Sequence, residues 1–304
     1  MDIESLKQRY SKSNQVSELA AYLKNSAQCN VQLKGLAGSA IAFIASSVIE
    51  SLQGTHLFVL PDKEHAAYVF NDLENLIGKE KVLFFPMSYK KPYEPETIDN
   101  ANVLFRSEVL NHLTNTHQTS IIVTYPHALF EKVVTKKHLT ENTFHLKRKE
   151  KVNLDFMFSF LEEYGFDRVD FVVQPGEFSV RGGIIDVFSF SNDFPYRIEF
   201  FDDEVESIRT FDTATQLSIA HFDFISIIPN ISEKLLVERR ASFLDFISSE
   251  TTIWVSHLDH SADLLQKAFE AAEAAHLKAE QGIIKQLPPH ELFIDKPIFL
   301  DAIS

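Results

Sequence analysis

The chain changes texture twice along its length, and this constrains its fold more than any single motif. Over the first 135 residues, short apolar runs alternate with helical patterns. "SELAAYLKNS" predicts a helix, "NVQLKGL" a strand, and "GSAIAFIASSVIESL" the helix after a glycine-containing loop. "THLFVLP" predicts a buried strand and "DKEHAAYVFNDLENLIG" a helix, with Asp62 as its N-cap and Gly78 as its stop. "KVLFFP" and "TSIIVTYP" predict further strands, "TIDNANVLFRSEVLNHLTN" a helix and "HALFEKVV" a short one. Short apolar strands between helices imply a parallel sheet with helices on its faces.

From about Thr135 to Pro229 the pattern becomes richer in strands and phenylalanine. "NLDFMFSFLEEYGF" predicts an amphipathic helix ending at Gly165. "DRVDFVVQPGEFSVRGGIIDVFSF" reads as two strands around a Pro175-Gly176 turn, and "PYRIEFFDDEVESIRTFD" as a hairpin turning at Asp202-Asp203. From about Asn230 the alternation returns. "SEKLLVERRASFLDFI" predicts a helix, "TTIWVSH" a strand and "SADLLQKAFEAAEAAHLKAEQGII" a long helix of good helix formers. "KPIFLDAIS" ends without an obvious terminal element, so the chain is expected to be a piece of a longer one. The simplest topology is an α/β parallel-sheet domain begun by residues 1–134, interrupted by an inserted α+β domain at 135–229 and completed by 230–304.

Hydrophobic residues make up 45% of the 304, enough for a sizeable core. The start, "MDIESLKQRY", is polar, and no run approaches the roughly 18 apolar residues of a membrane helix. A cytoplasmic protein with no membrane partner is expected. Cys29 is the single cysteine, which excludes an internal disulfide framework and a multi-cysteine zinc site, and is read as a small core residue. The net charge of −14 repels a phosphate backbone on average. Nucleic-acid binding usually shows a basic patch, so the balance favours protein partners over DNA.

"GLAGSAIAF", Gly35 to Phe43, has the strand–turn–helix layout of a phosphate-binding loop. That loop reads G-x-x-x-x-G-K-[ST], with the lysine on the phosphates and the hydroxyl on magnesium. Gly35 and Gly38 keep the shape. Ala40 stands at the second glycine, Ile41 at the lysine and Ala42 at the hydroxyl. An apolar branched group sits where charge must be compensated, and the magnesium ligand is missing. Backbone N–H groups at a helix N-terminus still attract an anion, but that alone is weak for nucleotide binding, so the loop is read as a tight turn with small residues for packing.

Other chemistry is sparse. Asp202, Asp203 and Glu204 are potential metal ligands but fall on a hairpin tip, and are read as an exposed acidic turn. His257 and His260 are close in sequence, with no further ligands announced, and are read as a polar strand-to-helix loop. The exception is Arg181, directly before Gly182-Gly183. A double glycine inside strand texture suggests a bulge or kink that aims its neighbours. If the strands bearing Arg168 and Arg181 pair, the two arginines share one face. Arginine is favoured at interfaces for its planar fork of donors; two solvated surface arginines remain the alternative.

"FSVRGGIIDVF" and "PYRIEFFDDEVESIRTFD" resemble the signature segment of the family that contains the nucleotide-excision-repair protein UvrB and the N-terminal part of the transcription-repair coupling factor, Mfd. The degenerate loop, then "LFFPMSYKKPYEPE", then "IIVTYPHALFEKV" precede this segment in the family's order, so the resemblance covers nearly the whole chain. It is most specific at 176–212. The intact phosphate loop and long DNA-clamping hairpin of UvrB are not evident, which makes the coupling factor the better match. The resemblance implies a RecA-like, helicase-like fold that has lost ATP binding at Ala40, Ile41 and Ala42. It also implies a UvrA-binding surface on the inserted domain, carried by Arg168 and Arg181 with Asp186 and Phe188 as supports. The UvrB pattern has a second arginine two positions before Arg181, where this chain has Ser179. An ATP- and magnesium-dependent DNA translocase and an RNA-polymerase-binding domain are implied further along the polypeptide. The family's C-terminal domain is implied to cover the UvrA-binding surface.

These readings support a non-catalytic module, without cofactor or metal of its own, that recruits UvrA. The rival is a helicase-like NTPase module with weak residual nucleotide binding at Gly35–Ala42. A direct DNA clamp is disfavoured by the charge.

Overall fold

The computed structural model describes residues 3–25, 29–88, 92–93, 100–115, 119–135, 143–190, 192–228, 240–279 and 287–303. Its first part runs α1 (Ile3–Ser11), α2 (Asn14–Asn25), α3 (Ala40–Ser51), β1 (Thr55–Val59), α4 (Lys63–Ile77), β2 (Val82–Phe84), α5 (Asn100–Asn115), β3 (Ser120–Thr124), α6 (Pro126–Phe130) and β4 (Val133–Val134). The middle part runs β5 (Phe144–Lys147), α7 (Leu154–Glu163), β6 (Asp167–Arg168), β7 (Glu177–Arg181), β8 (Ile184–Val187), β9 (Tyr196–Phe201), β10 (Glu204–Phe211), β11 (Ser218–His221) and β12 (Phe224–Ile227). The last part runs β13 (Arg240–Ala241), β14 (Thr252–Val255), α8 (Leu258–Ala279), α9 (Pro289–Leu292) and α10 (Lys296–Ile303). Among the described residues no helix is long and apolar enough to cross a membrane.

Four parallel strands form one sheet in the order β14-β1-β3-β2. β3 is buried along its whole length, as expected of a central parallel strand covered on both faces. β14 returns after the middle part to pair with β1, and Phe58 stacks on its register partner Trp254 at 5.3 Å. The helices follow from local rules. The Asp62 carboxylate accepts the His65 N–H at 2.9 Å and caps α4, which ends at Gly78. Ala66, Val69, Leu73 and Leu76 recur at helical spacing and are buried against the sheet. Burying a side chain such as Leu73 contributes about 1.5–3 kcal/mol.

One charged pair lies inside this core. Arg106 of α5 donates to the carbonyls of Pro86 (2.8 Å), Ala128 (3.0 Å) and Glu131 (3.2 Å), and its guanidinium lies 4.1 Å over the Phe85 ring. Its Nη1 is 3.5 Å from the Glu131 carboxylate, which also accepts the Ser88 hydroxyl at 2.7 and 2.8 Å. Both members of this pair thus have partners, as their burial requires.

The middle part is a mostly antiparallel six-stranded sheet, β11-β10-β9-β8-β7-β6, with its own core under α7. Phe178, Ile185, Val187, Ile198, Val205 and Ile208 line that core on alternate positions of neighbouring strands. Its ends lie together: β5 pairs with β12, and β4 pairs with β13 nearer the parallel sheet. Each core thus carries one short ribbon that pairs the incoming with the outgoing chain. Helix α5 joins the cores directly: Val103 belongs to the core of the inserted sheet, Val109 and Leu110 to that of the parallel sheet.

Several expectations are corrected. Residues 31–33 form no strand; Val31, Gln32 and Leu33 are exposed. Residues 167–181 are not a hairpin around Pro175-Gly176: β6 runs parallel to β7. The tight turn is instead Gly182-Gly183, which joins β7 to β8 as a two-residue hairpin loop. Gly182 has φ +62°, the positive value such loops require, and a Cβ on Gly183 would lie 2.7 Å from the Phe200 carbonyl oxygen. The double glycine is therefore a turn, not a bulge. The described part of the helix expected at 232–247 is the strand β13 followed by a single turn at Phe243–Asp245, started by a Ser242–Asp245 capping box; residues 231–239 lie outside the described set. The final segment does form a terminal element, α10, with Phe299 buried in the core. Cys29 is half-buried and lies outside the core. His257 precedes α8, whereas His260 lies within its first turn.

Candidate partner-binding site on the inserted sheet

Alternation along β7 sends Phe178 into the core and leaves Ser179 and Arg181 on the opposite face. On β8, Ile185 and Val187 point inward and Asp186 outward; on β9, Tyr196, Ile198 and Phe200 point inward and Arg197 outward. The register aligns these outward residues. Ser179 lies opposite Asp186, Asp186 opposite Arg197, Arg197 opposite Arg209, and Arg209 opposite His221. One transverse row thus crosses five strands on the face away from the core.

Asp186 is the centre of this row, and only 1% of its surface is exposed. Arg197 grips it side-on, Nε donating to Oδ1 at 2.7 Å and Nη2 to Oδ2 at 2.8 Å. Arg181 adds a third charge-assisted bond, from Nη2 to Oδ2. The Arg197 guanidinium lies 4.1 Å over the Phe211 ring and donates to the Gln216 side chain at 2.8 Å. Hydrogen bonding to Asp186 raises its already high pKa further. Next along the face, Arg209 and Ser207 donate to Glu199 at 2.6 Å each; the Arg209 bond first, then the Ser207 bond, hold this carboxyl down at about 2.

Arg181 is the open member of the cluster. Its side chain is 35% exposed, against 13% for Arg197. Its guanidinium lies 5.1 Å from the ring of Phe171, itself 64% exposed. Val173 is exposed beside it in sequence, and Glu177 fixes this loop by accepting the N–H groups of Val173 (2.7 Å) and Gln174 (3.0 Å). Arginine and aromatic side chains are the residue types enriched at protein interfaces.

The structure brings together Arg181 and Asp186. Phe188 is buried and exchanges backbone hydrogen bonds with Gly176 and Glu177. Arg168 does not share the face of Arg181. Its register partner is Phe178, and partners in a parallel pair project to one side, so Arg168 belongs to the core side of the edge strand, where it is exposed. Sequence reasoning missed Arg197, Phe171, Phe211 and Gln216. Arg197 was within reach: in "YRIEFF" it alternates with three buried aromatic and aliphatic residues. Ser179 is buried, and its hydroxyl has no hydrogen-bond partner among the described residues.

The other candidate does not fit a nucleotide. Gly35 and Gly38 have positive φ in an exposed loop that follows no strand. Ala40 opens α3; Ile41 packs against the core and Ala42 is fully buried within it. The positions of the missing lysine and hydroxyl therefore face protein interior. Asp203 is paired with Lys151 at 3.0 Å, and no group of three or more potential metal ligands occurs among the described residues.

Comparison with known proteins adds to this geometry. Residues 144–232 match the model of the UvrB interaction domain, a span that contains every strand of the inserted sheet. The transcription-repair-coupling factor of Bacillus subtilis is 30% identical over 276 residues, covering 88% of this chain and 23% of that protein. That of Haemophilus influenzae is 30% identical over 188 residues, covering 62% of the chain and 16% of that protein. UvrABC system protein B of Thermosipho africanus is 25% identical over 259 residues, 81% of the chain and 38% of that protein. The chain thus spans less than a quarter of the coupling factors it matches. Residues 144–232 are homologous to the UvrB interaction domain, and the chain around them to the N-terminal part of transcription-repair-coupling factors and to UvrB.

Proposed function

We propose that this chain is a non-catalytic recruiting module of a transcription-coupled repair factor, and that the outward face of its inserted sheet binds UvrA. The observation that carries this reading is the half-open Arg181, held by Asp186 and flanked by the exposed Phe171, within the segment homologous to the UvrB interaction domain. Arg181 supplies charge-assisted donors to carboxylates of the partner, and Phe171 an apolar anchor. Arg168, at the sheet edge, reaches the same partner from the side. In a cytoplasmic polypeptide several times longer, ATP and magnesium belong to separate motor domains that act on DNA and displace stalled RNA polymerase. A C-terminal domain there covers the UvrA-binding face. The buried Ala42 and packed Ile41 support a module that binds no nucleotide of its own.

Calorimetric titration with purified UvrA tests the reading. Wild type should bind, and Arg181→Ala should lose about 2–5 kcal/mol of binding free energy if the contact is desolvated, with its circular dichroism unchanged. Equal binding by both proteins would refute the assignment. A parallel titration with ATP and magnesium should give no heat of binding; saturable magnesium-dependent binding would favour the NTPase reading instead.

A further inference from the structure

Two guanidinium groups share one carboxylate in the outward row, and they share it unequally. Arg197 takes both oxygens of Asp186, at 2.7 and 2.8 Å, and is closed in by Phe211 and Gln216. Arg181 touches a single oxygen through a single nitrogen; its other N–H groups meet no acceptor among the described residues. The three groups together carry one net positive charge, and the solvent-facing member is Arg181. The hydroxyl of Ser179, directly across from Asp186, makes no hydrogen bond to the carboxylate.

Resting on the reading that this face binds UvrA, we infer that Arg197 is a positioning residue for the partner surface: by occupying Asp186 side-on, it leaves Arg181 with unneutralised charge and open donors for a partner carboxylate. Without Arg197, the buried Asp186 has one cation within reach. Arg181 then closes on it as a fork-to-fork pair, the geometry arginine and carboxylate prefer. The pair is neutral and turned inward, so the partner loses its contact although Arg197 itself is nearly closed off from solvent. Removing the negative charge at Asp186 has the opposite effect, because it releases Arg181.

The test is a calorimetric titration of UvrA into the 304-residue chain as wild type, Arg181→Ala, Arg197→Met, Asp186→Asn and the double variant Arg197→Met/Asp186→Asn, with thermal melts as a control on folding. Arg197→Met should weaken binding about tenfold or more, and the double variant should recover to within about threefold of wild type, since the coupling runs through Asp186. A merely structural role for Arg197 predicts that affinity follows the melting temperature across the variants, whereas a positioning role predicts that it follows the charge at Asp186 at equal melting temperature. Asp186→Asn alone should bind more tightly than wild type, which keeps the inference testable if Arg197→Met fails to fold. Wild-type affinity in Arg197→Met, or a double variant as weak as the single, would overturn the inference, while loss of binding in Arg181→Ala would leave the UvrA reading standing. Weakening by Asp186→Asn to the level of Arg181→Ala would also overturn it. Absence of binding by the wild-type protein would overturn the UvrA reading and this inference with it.

Discussion

Glu108 gives the sharpest test of the electrostatics. It is half-buried on α5, and Asp193 of the inserted domain contributes a like charge beside it. Burial first, and then Asp193, push its carboxyl up from 4.5 to about 7. A raised folded-state pKa means that the folded protein holds this proton more tightly than the unfolded chain. Its stabilising contribution is fully present below pH 4.5 and is lost as pH rises through about 7. Between these values the loss runs at about 1.4 kcal/mol per pH unit, on the order of 3 kcal/mol in total. Glu108→Gln is neutral throughout and keeps the size of the side chain. Its advantage over wild type should be small at about pH 5, grow through about pH 6 and 7, and level off near pH 8. Urea melts at these pH values read this directly as a widening gap between midpoints at constant slope. A gap independent of pH, or a variant less stable than wild type near pH 8, would show that Glu108 is ionised without cost in the folded protein.

Arg106→Met removes the partner of the buried Glu131 and three bonds to carbonyls. It should cost about 3–5 kcal/mol in urea melts, because an uncompensated charge stays behind. Asp62→Ala removes the cap of α4 and should cost about 1 kcal/mol, measured the same way.

The parts of the fold legible in the sequence are those where local chemistry and burial agree. α4 was readable from both ends because Asp62 caps it and Gly78 stops it. The β9–β10 hairpin turns at Asp202-Asp203 as its polar pair suggests, Asp202 taking φ +57°. Failures occurred where pairing decides the outcome. Val31 and Leu33 have a strand's alternation but lie exposed with no strand beside them among the described residues. Pro175-Gly176 looks like a turn as plausible as Gly182-Gly183; only the second brings two strands into antiparallel register. The face of Arg168 depends on the parallel register of β6 with β7, so it could not be deduced from its distance along the chain to Arg181. Arg181 stands out by its position before the double glycine, whereas Asp186 enters only through the family resemblance. Arg197, which completes their geometry, comes from another strand; its outward face is readable from the alternation in "YRIEFF", but its place beside Asp186 shows only when β8 and β9 are paired.

Helix α5 spans 16 residues, about 24 Å of stiff rod. One end is cemented into the inserted core by Val103 and the other into the parallel-sheet core by Val109 and Leu110. With α5 as a strut, a pull on the outward row loads the parallel sheet as well, and a partner gripping Arg181 takes hold of the whole frame.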